Sequence, residues 1–286
     1  MKKLILQMAL FALIGIPLYA GVHRYIYTHL RRPLTNLMRE AVEKASRHQP
    51  YGRVIVGDSV ARQLFNDRNQ KRSRYFHLTT NAATTLMGHY ILLMEYLKRN
   101  PTEEIVVLLH PYSLMDNLDR EFTANYVVGM FYRKAYQPYI TAYAEGQIKN
   151  CVWWFVPVLL RDFPELCTIN YQTVNPKPFW TDNYLSPLSL EYFGLLRQAC
   201  RERGITLRVV APPLSAHLAD LDYSFTKKQV EENGLSDCFA GYFDFIYLPT
   251  SRFADELHPK SEFLDEARRR VGLDWEKPAG EPEKSE

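Results

Sequence analysis

The sequence predicts an α/β domain with a parallel sheet behind an N-terminal membrane-spanning helix. Three observations carry this. Short apolar runs alternate with amphipathic stretches along much of the chain, the run at residues 104–109 is apolar enough to be buried on both faces of a sheet, and residues 4–22 form an almost unbroken apolar segment. The 286 residues are 47% hydrophobic and 23% charged, which excludes a disordered, collagenous or polytopic chain. With 35 Lys+Arg against 32 Asp+Glu there is no extended basic surface of the kind nucleic acids need.

Lys2 and Lys3 precede the apolar segment, whose only strongly polar side chain is Gln7. Nineteen helical residues from Leu4 to Val22 reach about 28 Å, close to the ~30 Å of a hydrocarbon core. His23-Arg24-Tyr25-Ile26-Tyr27 supplies the aromatic and basic residues found at a membrane interface. Residues 1–33 are therefore read as a retained anchor. A cleaved signal peptide, with Leu18-Tyr19-Ala20 as a weak processing site, is the competing reading. Arg31 and Arg32 on the far flank oppose Lys2 and Lys3, so the flanking charges do not choose an orientation.

Residues 34–275 form one predicted domain, opening with a connecting helix over 34–48. Arg53-Val54-Ile55-Val56 reads as a strand closed by Gly57-Asp58-Ser59, with a helix from Val60 to Phe65. A second strand over 75–79 runs into Thr80-Asn81-Ala82-Ala83-Thr84-Thr85, and a helix over 86–99 stops at Asn100-Pro101. The third strand, 104–109, ends at His110-Pro111. After an interval, a helix over 188–203 capped by Gly204, a fourth strand over 206–210, a fifth over 242–248 and a closing helix over 259–271 resume the alternation. The interval, about residues 115–187, is an insertion rich in aromatics: Tyr126, Phe131, Tyr132, Tyr136, Tyr139, Tyr143, Trp153, Trp154, Phe155, Phe179, Trp180 and Tyr184. It reads as a lid, a membrane-facing surface or a sugar-binding wall, with ordinary core packing as the alternative for most of these rings. Residues 276–286 are too polar and Pro-rich to pack and read as a disordered tail. Cys151, Cys167, Cys200 and Cys238 permit three complete pairings in an oxidising compartment and equally suit buried free thiols. They contain no CxxC pair, and no metal or cofactor is expected.

Ser59 sits where a strand turns into a helix, at the carboxyl end of a strand where open α/β sheets bind ligands. The helix that follows aims N–H groups at that loop and favours an oxyanion beside the serine oxygen. A helix-capping serine is the plainer alternative. Asp255-Glu256-Leu257-His258 supplies what a serine nucleophile lacks: His258 as a base, and Asp255 to fix its tautomer from one turn away. Glu256 ranks second as orienter. Asp58 is read as anchoring the turn through local hydrogen bonds, beside Gly57. His77 on a strand and His89 on a helix are read as packing or surface residues.

A strand followed by Gly57-Asp58-Ser59 and a helix near the start, with Asp255-x-x-His258 before the last helix, resembles the SGNH/GDSL hydrolase family over roughly residues 53–271. The resemblance implies a flavodoxin-like three-layer α/β/α sandwich, Ser59 as nucleophile, Asp255 and His258 as orienter and base, and the Ser59 N–H as part of an oxyanion hole. Where the family's second block has a glycine, this chain has Thr80-Asn81-Ala82-Ala83, so the Asn81 side chain or a nearby amide would substitute. Where the third block has an asparagine donor, this chain has His110-Pro111-Tyr112-Ser113. His110 is then the candidate donor, or a histidine that satisfies a local hydrogen bond. The divergence is similar to the membrane-anchored branch that acylates bacterial envelope polymers. That branch implies an extracytoplasmic serine esterase or O-acyltransferase acting on a carbohydrate or other acylated envelope substrate, with a membrane acyl-donor protein as a further partner. A catalytically silent, membrane-tethered scaffold with the same fold is the alternative.

Overall fold

The computed structural model describes residues 2–29, 32–118, 123, 127, 130–151 and 184–277. Helix α1 (Lys2–His29) contains Ile5–Val22, a window long and apolar enough to cross a membrane and buried nowhere in the structure. Helix α2 (Arg32–Ala45) presses Met38, Ala41 and Ala45 onto the domain. Then come β1 (Arg53–Gly57), α3 (Ser59–Leu64), β2 (Phe76–Thr79), α4 (Thr85–Leu97) and β3 (Glu104–Leu108). After these follow α5 (Ala142–Cys151), α6 (Pro187–Arg203), β4 (Thr206–Val210), β5 (Leu214–Ser215), α7 (Ser224–Glu232), β6 (Tyr247–Leu248) and α8 (Leu264–Arg270).

The main sheet has the order β2-β1-β3-β4, and every pairing in it is parallel. Its side chains alternate between two apolar clusters. Val54, Val56, Phe76, Leu78, Ile105 and Val107 face the side covered by α2, α4 and α6. Ile55, Val106 and Leu108 face α3, α8 and Trp275. Gly204, in the left-handed region at φ 67°, ends α6 and turns the chain into β4.

Gly57 holds β1 and β3 at their carboxyl ends, where it pairs with Leu108. A Cβ at this position would stand 2.0 Å from the Leu108 carbonyl oxygen and 2.6 Å from the Ala61 Cβ. Neither neighbour is a flexible side-chain end. Gly57→Ala is expected to destabilise the chain by about 3 kcal/mol or more, read as a lower urea midpoint. An unchanged midpoint would mean that the strands separate freely at this point.

Two expectations are corrected. Residues 242–248 do not form a fifth strand of the sheet: only Tyr247–Leu248 is extended, and it pairs with Leu214–Ser215 in a separate two-stranded sheet. The outer edge of β4 is occupied instead by the 235–242 turn, whose Cys238 carbonyl accepts the Val209 N–H at 2.7 Å. The closing helix is also shorter than 259–271. Pro259 bridges to Phe253, a 3₁₀ turn spans Ser261–Phe263, and the α-helix begins at Leu264.

Of the aromatic insertion, Tyr126, Trp153, Trp154, Phe155, Phe179 and Trp180 lie outside the described residues. Phe131 and Tyr132 are buried, and Tyr136, Tyr139 and Tyr143 pack half-buried against the larger apolar cluster. Tyr184 packs on a third, smaller cluster around Tyr112 and Leu214. Cys200 and Cys238 are buried free thiols, and burial pushes their pKa values up to about 12 and about 11. Cys167 and the Cys151 side chain fall outside the description.

Candidate active site

The turn after β1 is built around Asp58, which is 1% exposed. Its Oδ1 accepts the Val60 and Ala61 N–H groups at 3.0 Å each, so it caps α3. Its Oδ2 accepts the His110 N–H and the Ser113 hydroxyl, both at 2.7 Å. One carboxyl therefore ties the start of α3 to the loop after β3. Burial raises the pKa of Asp58, against the opposing pull of these four donors.

Ser59 is the first residue of α3, with its side chain half-buried. Its hydroxyl oxygen lies 3.0 Å from His258 Nε2, across a separation of 199 residues. On the far side of the ring, His258 Nδ1 lies 2.8 Å from Asp255 Oδ2 and 3.1 Å from Oδ1. A carboxylate facing Nδ1 places the ring proton there and leaves Nε2 as acceptor for the Ser59 hydroxyl.

The loop that carries Asp255 and His258 is held shut at its base. The Ala254 N–H donates to the His258 carbonyl at 2.8 Å, the Lys260 N–H donates to the Arg252 carbonyl at 2.8 Å, and Phe253 and Pro259 form the bridge between them. Asp255 Oδ1 also accepts the Leu257 and His258 N–H groups at 2.8 and 2.7 Å. Partial burial pushes the Asp255 pKa up, but these amides and the imidazole more than offset it and hold the carboxyl below its ordinary value. The Asp255 side chain is 57% exposed, so it acts on His258 through these direct hydrogen bonds and not through an unscreened field. No described hydrogen bond joins Glu256 to His258.

Ser59 and His258 open onto a cavity of about 470 Å³, within the ~300–1,000 Å³ range of small-molecule sites. Its other walls are Leu37, Glu40, Ala41 and Lys44 of α2, Arg62 and Gln63 of α3, the 66–68 turn and residues 77–79 of β2. Lys44 is paired with Asp67. Neither Asn81 nor His110 lines this cavity. Asn81 Oδ1 caps its own 3₁₀ turn by accepting the Ala83 N–H at 2.9 Å. The same loop ends at Thr85, a non-glycine residue at φ 55°.

His110 is 2% exposed, and its Nδ1 accepts the Tyr112 N–H at 3.2 Å. Nε2 therefore carries the proton, and that N–H is buried without a partner among the described residues. Burial first, then the nearby His258 and His217, lower its pKa to about 3. His89 is buried beside the site with Nε2 2.9 Å from Thr80 Oγ1. His77, read as a packing or surface residue, is buried against Phe65 and belongs to the cavity lining, as does Gln63, whose only signal in the sequence was its place one helical turn after Ser59.

Comparison of the chain with protein-family models, with curated proteins and with solved structures finds no match.

Proposed function

We propose that this protein is a membrane-anchored serine esterase or O-acyltransferase of the SGNH type, acting on an acylated glycan of the cell envelope from the extracytoplasmic side. The observation that carries this reading is the row Ser59 Oγ, His258 Nε2, His258 Nδ1, Asp255 Oδ2, with contacts of 3.0 and 2.8 Å. The parallel order β2-β1-β3-β4, with helices on both faces, is consistent with a flavodoxin-like three-layer sandwich.

In the mechanism, Ser59 Oγ attacks the ester carbonyl as His258 Nε2 takes the hydroxyl proton, and Asp255 steadies the imidazolium that forms. The Val60 and Ala61 N–H groups are already committed to Asp58. That leaves the Ser59 N–H, which no described hydrogen bond uses, as the first oxyanion donor. His110 Nε2–H, buried and without a hydrogen-bond partner among the described residues, is the side-chain donor proposed to stand in for the family's asparagine, with Asn81 as the second candidate; both would have to shift toward Ser59, since neither lines the cavity. The imidazolium returns the proton to the leaving alkoxide as the acyl-oxygen bond breaks. Water or a sugar hydroxyl then attacks the acyl-enzyme, with His258 as base once more.

A fluorophosphonate probe tests this directly. Wild-type protein is expected to be labelled at Ser59, Ser59→Ala is expected to be silent, and an unlabelled wild type would defeat the proposal. The second reading, a catalytically silent tethered scaffold, draws on the position of Asn81 and His110 away from the walls of the cavity. It predicts no labelling and intact acetyl esters.

A further inference from the structure

The cavity beside Ser59 is lined by Lys44, Arg62 and Arg68 against Glu40 and Asp67. Lys44 and Asp67 neutralise one another in an ion pair. The side chains of Arg62 and Arg68 are exposed and have neither an ion pair nor a hydrogen bond among the described residues. Two open guanidinium groups are thus set against one carboxylate, Glu40 of α2, and the walls carry a net positive charge. Arg62 is the better placed of the two. It follows Ser59 by three residues on α3, which puts both side chains on one face of the helix with Cβ atoms about 5–6 Å apart. Gln63, the other lining residue one turn from Ser59, is tied to the Pro259 carbonyl at 2.9 Å. Arg62 has no such tie, so its guanidinium is available to a ligand.

A guanidinium offers a planar fork of donors that matches the oxygens of a carboxylate or a phosphate. We infer that Arg62 reads a negative charge on the substrate, so that the molecule presented to Ser59 is an acidic glycan with a carboxylate or phosphate close to its ester. This deepens the proposed function, on which it rests for the ester and the glycan; the preference for an anion stands on Arg62 and the charge of the walls. Arg62 is open to water, so its attraction for the anion is screened by salt and discriminates by a modest factor. Arg68, in the Asp67–Arg72 turn beyond the helix, adds to the positive field without the same proximity to Ser59 in the chain.

The test is ligand-observed NMR titration of the full-length protein in detergent with glucose, glucuronate and glucose 6-phosphate. Wild type is expected to bind at least one of the two anions about tenfold more tightly than glucose, with the margin shrinking as sodium chloride is added. Preference for glucuronate alone assigns a carboxylate to the natural glycan, and preference for glucose 6-phosphate alone assigns a phosphate. Arg62→Gln is expected to abolish the preference and Arg62→Lys, which keeps the charge but not the fork, to retain part of it. Both variants are expected to keep the wild-type urea midpoint, because the exposed side chain holds nothing in its own chain. Wild type that binds neither anion more tightly than glucose would overturn the inference, as would a full preference in Arg62→Gln. Fluorophosphonate labelling of Ser59 without an anion preference would sink this inference alone, and an anion preference without labelling would sink the esterase reading alone.

Discussion

Ser59→Ala and His258→Ala are each expected to lower ester turnover by roughly 10⁴-fold or more, and the double substitution is expected to be little worse than either alone. The geometry gives the reason. The Ser59 hydroxyl and the His258 ring share one hydrogen bond of 3.0 Å, and in the proposed mechanism neither would perform the proton transfer without the other. Initial rates on an aryl acetate, measured for all four proteins at equal concentration, check this. Additive losses would show that the two side chains act separately. Asp255→Asn belongs to the same series: an amide that turns its NH₂ toward Nδ1 favours the wrong tautomer, and the loss is expected to approach that of the His258 change.

The second large effect is a steep loss of stability in mild acid. His77, His89 and His110 are buried, and burial lowers their pKa values to about 4, about 3 and about 3 from an ordinary 6.5. Each ring is neutral in the folded chain at a pH where the unfolded chain already takes up a proton. Stability is therefore complete above about pH 6.5 and falls as the pH drops from there toward the folded values. The slope is about 1.4 kcal/mol per pH unit for each ring, at most about 4 for the three together. Asp58, whose pKa is raised, works in the opposite direction and recovers part of the loss. Urea midpoints at pH 7.5, 6.0 and 5.0 test the expectation, and a flat profile would contradict it. His89→Gln removes one ring and is expected to flatten the slope by about a third.

The first four strands of the sheet were legible because each is a short apolar run closed by a turn or a proline, and burial on both faces permits little else. The Ser59 and His258 segments were legible for a related reason: their chemistry is written in contiguous residues, and only their meeting required a fold. The stretch at 242–248 misled because Tyr242, Phe243, Phe245 and Tyr247 mimic strand alternation. In three dimensions the first three of these rings pack edge-on against one another, and the Tyr242 hydroxyl donates to the Leu109 carbonyl at 3.0 Å. His77 illustrates a different blind spot. A histidine in a strand looks like any other, and only the turn at Asn66 reveals which of its nitrogens is left bare.

The wall that α2 contributes to the cavity carries a consequence for where this protein can work. Leu37 stands fifteen residues beyond Val22, which for mostly helical chain is a reach on the order of 20–30 Å. Were α1 embedded in a lipid bilayer, as proposed, that reach would keep the mouth of the cavity in a thin shell just above the headgroups, and molecules held at that height would meet Ser59 far more often than molecules adrift in bulk solvent.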